Sequence, residues 1–357
     1  MNILYLITGL GLGGAEKVVA NLADQMYLKG HNVKIAYLKG KISVSPKHSN
    51  IELVYLGLEK PTNILSAIKN YRALIKSYRP DVVHAHMVHA NIFSRISRLF
   101  CNIPKLICTA HNTNEGGKLR MLAYKYTNCL SDLNTNVSQE ASLSLINKGA
   151  FTHENLKTVY NGIDLELFSK KEQSDNNLDY IQFLSVGRLN AQKDYFNLLN
   201  AIKIVSEQHE NIHFNIVGDG DLYSLIEKSI TDLKISKFVS LLGARSDISQ
   251  LMHKSDFFIL SSSHEGLPTV LIEAQASQLF VIATDCGGSR EIMGETGIIV
   301  PPKNSKALAD GILKAIKMPS PTIKENNKKA LKYTYKNFDL NKIVNEWDNI
   351  YSQKKNL

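Results

Sequence analysis

Short apolar runs alternate with longer stretches of helical periodicity along this chain, and the alternation occurs twice. The first series opens with a run at 2–8. A glycine-rich turn follows, then a helical pattern over 15–29 that sets Val18, Val19, Leu22 and Met26 on one side. Further strands are predicted at 33–38, 51–56, 81–86, 105–110 and 133–138, with helices at 63–78, 91–100, 118–130 and 139–148. Asn161-Gly162 reads as a turn and the polar run 169–179 as a linker, after which the alternation restarts at Tyr180. Its strands are expected at 181–186, 214–217, 239–243, 256–260, 280–283 and 298–301. Runs that are apolar throughout suit parallel strands covered on both faces. The expected class is therefore α/β, with two doubly wound, Rossmann-like domains at 1–165 and 166–335. A last segment, 336–357, sets Ile343, Val344, Trp347 and Ile350 on one helical face, which is expected to pack back on the first domain.

A chain of 357 residues is long for one core, and an apolar fraction of 44% is that of a globular protein. The apolar runs are strand-length and broken by residues such as Lys34, Arg95 and Lys105, so no membrane span is expected. The start of the chain lacks a basic leader and reads as a strand, which gives a cytoplasmic expectation. Cys101, Cys108, Cys129 and Cys286 show no C-x-x-C spacing and read as reduced thiols. The net charge of +9 is uneven: residues 1–160 hold 19 Lys and Arg against 9 Asp and Glu. No nucleic-acid reading motif or aromatic stacking pattern accompanies this excess. An anionic membrane face, or an acceptor carrying lipid phosphate, fits it better. The segments expected to make that contact carry Lys69, Arg72, Lys76 and Arg79 in one helix and Arg95 and Arg98 in the next.

Candidate chemistry clusters at strand exits. Gly9, Gly11 and Gly14 satisfy a G-x-G-x-x-G spacing, which raises dinucleotide binding. That reading needs an acidic residue after the second strand, where Lys39, Gly40 and Lys41 stand instead. His84, His86 and His89 have no acidic or thiol partner nearby in sequence, so they are expected to line an acceptor cleft as polar groups and not to bind metal. His111 ends the strand at 105–110, where open α/β sheets bind ligands, and the loop from Thr113 to Gly117 leads into a helix that could admit an acceptor.

In the second half the run 256–260 passes through Ser261, Ser262 and Ser263 to Glu265, Gly266, Leu267 and Pro268, then into a helix holding Glu273. Amides at Gly266 and Leu267 before a helix make an anion site. Glu273 is flanked by Val270, Leu271, Ile272 and Ala274, so a carboxylate there implies a purpose such as holding a ribose diol. Arg188 and Lys193 follow another glycine, Gly187, and can bracket a diphosphate, one as a planar fork and one as a point charge. Asp219 and Asp221 spell D-x-D, a possible divalent-metal signature, but here the pair opens a helix as a turn. A further glycine turn, 285–291, is expected to border the pocket.

Taken together, the Glu-x7-Glu set of His264-Glu265-Gly266-Leu267-Pro268 through Glu273-Ala274 resembles the retaining glycosyltransferases of family GT4, whose architecture is the two-domain GT-B fold. The resemblance spans nearly the whole chain and implies an active site in the cleft between the domains. It implies that Gly13 and Gly14 approach the donor phosphates or the acceptor, that His111 stands by the reacting sugar, and that Arg188 and Lys193 neutralise the departing nucleoside diphosphate. Glu265 would orient the donor sugar and steady positive character at its anomeric carbon, and Glu273 would hold the ribose. Asp219 would lie near the nucleotide without metal, and Leu242 would meet the base through its backbone. The implied reaction transfers sugar from a nucleoside diphosphate sugar, such as a UDP-sugar, to a hydroxyl of a lipid-linked saccharide in bacterial surface polysaccharide synthesis. It proceeds with retention, without a metal cofactor, at the inner face of the membrane. A nucleotide-sugar epimerase or hydrolase of the same architecture is the alternative enzyme, and a non-catalytic sugar-nucleotide-binding module the alternative class.

Overall fold

The strands form where the apolar runs can be covered on both faces, and they assemble into two separate parallel sheets. The computed structural model describes residues 1–112, 116–169 and 180–353. The linker expected at 169–179 falls almost wholly outside the described residues, as does the start of the proposed acceptor loop at 113–115. One unit comprises Met1–Gly162 with Asn341–Leu357, and the other Ile163–Leu340. The sequence reading drew these boundaries a few residues differently. Backbone bonds from Ile163 to Phe338 and from Leu340 to Ile163 tie the crossing point to the second unit.

The first unit runs β1 (Asn2–Ile7), α1 (Gly14–Leu28), β2 (Asn32–Tyr37), β3 (Glu52–Tyr55), α2 (Ile64–Tyr78), β4 (Val82–His86) and α3 (Val88–Ser97). It continues with β5 (Lys105–Ala110), α4 (Lys118–Thr127), β6 (Leu133–Asn136), α5 (Gln139–Asn147) and β7 (Lys157–Thr158). Its seven strands order as β3-β2-β1-β4-β5-β6-β7, with Tyr5 opposite Ile35 on one side and His84 on the other. The second unit runs β8 (Ile181–Val186), α6 (Tyr195–Ser206), β9 (Ile212–Val217), α7 (Tyr223–Asp232), β10 (Val239–Leu241), α8 (Ile248–His253) and β11 (Phe257–Leu260). Then follow α9 (Thr269–Ala276), β12 (Phe280–Thr284), α10 (Ser289–Met293), β13 (Ile298–Val300), α11 (Ser305–Ile316) and α12 (Ser320–Phe338). Its sheet orders as β10-β9-β8-β11-β12-β13, over a core in which Phe183 stacks on Phe214 and Phe257 at 4.5 and 5.0 Å. In each unit the chain order reverses beside the first strand, between β1 and β4 and between β8 and β11. Such switch points open a crevice at the carboxyl ends of the strands, where ligands of this fold class bind.

The last helix, α13 (Leu340–Ser352), belongs to the first unit apart from its first residue and buries Ile343, Val344, Trp347, Ile350 and Tyr351. It also accounts for part of that unit's basic charge. Lys29 and His31 reach Asp348 at 3.2 and 2.9 Å, and Lys157 reaches Glu346 at 2.9 Å. Lys105 donates to the carbonyls of Ile350, Tyr351 and Gln353, closing the helix at the end where the dipole favours a cation.

Two expectations about the first unit are corrected here. Arg95 does not face solvent: it is wholly buried, donates to Asn134 and Thr127, and lies 5.1 Å from the Tyr124 ring and 5.7 Å from that of Phe151. Arg98 pairs with Asp132 at 2.6 Å and donates to two carbonyls. Both cations of this segment are thus engaged inside the first unit, Arg95 by Asn134 and Thr127 and Arg98 by Asp132, while Ile96, Leu99 and Phe100 stay exposed. Among the described residues no helix is long and apolar enough to cross a membrane. All four cysteines are free thiols.

Candidate functional site

The crevice of the second unit is built from backbones that approach too closely for side chains. Gly187 donates to the Val217 carbonyl at 2.9 Å and Leu189 to that of Asp219 at 3.0 Å, so the exits of β8 and β9 lie flat against each other. A Cβ on Gly218, whose φ is +150°, would sit 1.9 Å from the Gly187 oxygen. Leu189 leads into a single 3-10 turn, Ala191–Lys193, in which Asn190 Oδ1 accepts from the Lys193 amide at 3.2 Å. That turn aims Lys193 at the exit of β11, where Ser261 Oγ donates to the Lys193 carbonyl and Ser263 donates to Gln192.

The two exits meet in an ion pair. Lys193 Nζ lies 2.6 Å from Glu265 Oε1, which also accepts from Ser262 Oγ at 2.7 Å, while Gln192 Nε2 donates to Oε2 at 3.2 Å. Glu265 is buried, and its backbone is fixed by the next turn. Gly288 donates to the Gly266 carbonyl at 2.7 Å, and a Cβ on Gly287, at φ +54°, would fall 2.4 Å from the Glu265 oxygen. A pair this sheltered is strong only while both partners remain, since removing one strands a buried charge. Cys286 shares the turn, and burial pushes its thiol up to about 11.

Around this pair the other candidates divide. Arg188 is exposed and has no ion-pair partner among the described residues, so the two cations read as one bracket have different situations. Gly266 and Leu267 are buried just before α9, whose N-cap is Pro268. Glu273 is half-buried on α9 between the fully buried Ile272 and Ala274. Asp219 is exposed, and its Oδ1 accepts from the Gly220 amide at 2.8 Å, which marks a self-capped turn. The amide of Leu242 already donates to the Ile216 carbonyl at 2.8 Å, so any backbone contact from this residue to a ligand would have to come through its carbonyl. Among the described residues no cluster of three His, Cys, Asp or Glu could hold a metal ion. The glycine turn 285–291 lies beside Glu265, as the sequence suggested. The bonds of Ser262 and Gln192 to the Glu265 carboxylate were not foreseen, because a carboxylate's hydroxyl and amide partners carry no spacing signature.

The crevice of the first unit is of another kind. Gly13 caps α1 and Gly14 opens it. A Cβ on Gly13 would meet the Glu16 carboxylate first, at 2.2 Å, and one on Gly14 would meet nothing within 4 Å. His111 is buried at the end of β5, with its Nε2 3.0 Å from His86 Nδ1, and burial lowers its pKa to about 4. His84 is not a lining residue, contrary to expectation. It is fully buried between Tyr351 Oη and Thr109 Oγ1, each at 2.7 Å, with Trp347 against its ring at 4.5 Å. Alternation along β4 puts His84 and His86 on one face, and α13 covers the inner part of that face. His86 is likewise buried, and burial holds both rings well below the ordinary histidine range.

Comparison with known proteins adds two family matches in tandem. The model described as Glycosyltransferase Family 4 matches residues 12–167, and that described as Glycosyl transferases group 1 matches residues 168–337. A Campylobacter jejuni enzyme is 27% identical over 325 residues, covering 86% of this chain and 87% of its own. It is named N-acetylgalactosamine-N,N'-diacetylbacillosaminyl-diphospho-undecaprenol 4-alpha-N-acetylgalactosaminyltransferase. A glycosyltransferase structure from Rickettsia africae superposes with a TM-score of 0.87 at 22% identity, covering 100% of this chain and 99% of that one. Anabaena HepE in complex with UDP superposes with a TM-score of 0.85 at 21% identity, covering 99% and 100%. The fold is that of the GT-B glycosyltransferases.

Proposed function

This chain belongs to glycosyltransferase family 4, and on that premise we propose that it moves a sugar from a UDP-sugar to a hydroxyl of a lipid-linked saccharide, with retention of anomeric configuration. The observation that carries the reading is the Lys193–Glu265 pair at the switch point of the second sheet, flanked by the amides of Gly266 and Leu267. Departure of a nucleoside diphosphate builds negative charge on its oxygens, so the barrier falls if cations and amide donors already face that position. Lys193 and Arg188 are assigned that role, with Glu265 fixing the ammonium and steadying positive character at the anomeric carbon. Glu273 and the Leu242 carbonyl are assigned to the nucleoside, and Gly13, Gly14 and His111 to contact with substrates from the first unit. Attack on the face that the phosphate leaves would give retention, with a phosphate oxygen taking the acceptor's proton. The self-capped turn of Asp219 supports a reaction that needs no metal bridge.

The lipid-linked acceptor and the UDP donor are supported by the names of the Campylobacter enzyme and the HepE complex. Surface polysaccharide synthesis at the inner membrane face is the setting that fits them. The surface best suited to an anionic bilayer is α4, where Leu119, Leu122 and Tyr126 are 82, 46 and 72% exposed among Lys118 and Lys125. It replaces Arg95, which is buried, and Arg98, which pairs with Asp132, in that role. The reading is tested by incubating the full chain with a panel of nucleoside diphosphate sugars and polyprenyl-diphosphate saccharides, with products identified by mass spectrometry and NMR. A lengthened saccharide of retained anomeric configuration is expected. Inversion would contradict the stereochemistry, while free sugar or an epimerised donor alone would favour the hydrolase or the epimerase.

A further inference from the structure

Behind His111 the first unit contains a continuous stack of buried polar rings that the proposed chemistry does not use. Tyr5 Oη meets Tyr351 Oη at 3.2 Å, Tyr351 Oη meets His84 Nδ1 at 2.7 Å, and His84 Nε2 meets Thr109 Oγ1, itself 2.6 Å from Thr135 Oγ1. The His84 ring packs against that of His86 with centroids 3.9 Å apart, and Trp347 closes the other side of His84. His86 then meets His111 at 3.0 Å. Two imidazole nitrogens at that distance share one proton, so one of the two must be the donor. If His111 Nε2 held it, neutral His86 would carry its own proton on Nε2, which is buried and has no partner among the described residues. That nitrogen is unpartnered in either arrangement, but an orphaned buried N–H is rarer in folded proteins than an orphaned buried acceptor. If His86 Nδ1 holds it, the proton of His86 has an acceptor and the remaining proton of His111 is on Nδ1.

We propose that His86 is a positioning residue that fixes His111 as the Nδ1–H tautomer, and that α13 holds His86 in place through Trp347, Tyr351 and His84. The consequence for the reaction rests on the assignment of His111 to the substrates: its Nε2 is engaged by His86 and is not a base for the acceptor hydroxyl. The C-terminal helix thereby sets the chemistry of a side chain at the far end of β5.

The test is long-range 1H–15N correlation NMR of the imidazoles in the full chain, with kcat and KM measured alongside. Wild-type His111 is expected to carry its proton on Nδ1. His86→Asn, whose carboxamide can donate from nearly the same position, should keep that tautomer and most of the activity. His86→Leu should shift the proton toward Nε2 and lower kcat by about tenfold or more, with little change in donor KM. A proton on Nε2 of wild-type His111 overturns the inference without any variant, and an unchanged tautomer in His86→Leu overturns it as well. His111→Ala separates the two claims. Normal turnover there rejects the substrate assignment, while the wild-type spectrum alone decides the tautomer.

Discussion

The two units put their candidate residues at the same topological address and treat charge there in opposite ways. In the second unit the crevice holds an ammonium and a carboxylate 2.6 Å apart, set by three glycine turns whose backbones touch. In the first, the equivalent edge holds His86 and His111, buried and pushed toward neutrality, against an aromatic layer supplied by the last helix. Charge concentrated in one crevice suits a phosphate-bearing donor. The sheets have the same order about their first strands, so the difference in charge lies in the strand-exit residues.

Glycines offer the largest break in the comparison. Gly218→Ala would force Cβ into the Gly187 carbonyl, and should destabilise the second unit by about 3 kcal/mol or more. Gly14→Ala meets open space and should leave the melting temperature within a few degrees. Differential scanning calorimetry checks both, and equal losses would remove the distinction between touching and open turns.

Acid should separate the units next. The folded pKa values of His84, His86 and His111 lie below the unfolded value, so the folded form binds fewer protons in the acid range. Their contribution is present above about pH 6.5. It is lost as the pH falls from there toward the value of about 4 that His111 shows. Denaturant titrations between pH 7 and 5 should weaken the first unit more than the second, and His84→Gln should reduce that slope. A parallel decline in both units would contradict it.

Much of this was legible in the sequence and some was not. Strands such as 105–110 could be read because runs apolar on both faces have few alternatives, and Glu265, Lys193 and the glycines stood out because charges and glycines at strand exits are conspicuous. Arg95 was misread, because a buried cation satisfied by Asn134, Thr127 and two rings has the same spacing as an exposed one. His84 was misread because its partner, Tyr351, lies 267 residues away. The pairing of Lys193 with Glu265 across 72 residues was likewise invisible, although each residue was noticed by itself.

Smaller effects sharpen the contrast at the surface. Each cation near an anionic bilayer contributes roughly 1 kcal/mol, so changing Lys118 and Lys125 of α4 to Gln should reduce sedimentation with phosphatidylserine liposomes. Changing Lys324, Lys328 and Lys332 of α12 should not. Equal losses from both sets would favour general basicity over docking through α4. The smallest effect belongs to EDTA, which should leave turnover nearly unchanged. A complete loss rescued by magnesium would restore the metal reading of Asp219 and Asp221.

The most direct test of the charged crevice is a double-mutant cycle on Lys193 and Glu265, read as kcat/KM for the donor that the panel identifies. If the pair acts as a unit, Lys193→Ala and Glu265→Gln each lower it by roughly a hundredfold or more, and the double variant is little worse than the weaker single one. Losses that multiply independently, or near-normal turnover in either single variant, would contradict the claim that this ion pair carries the donor chemistry.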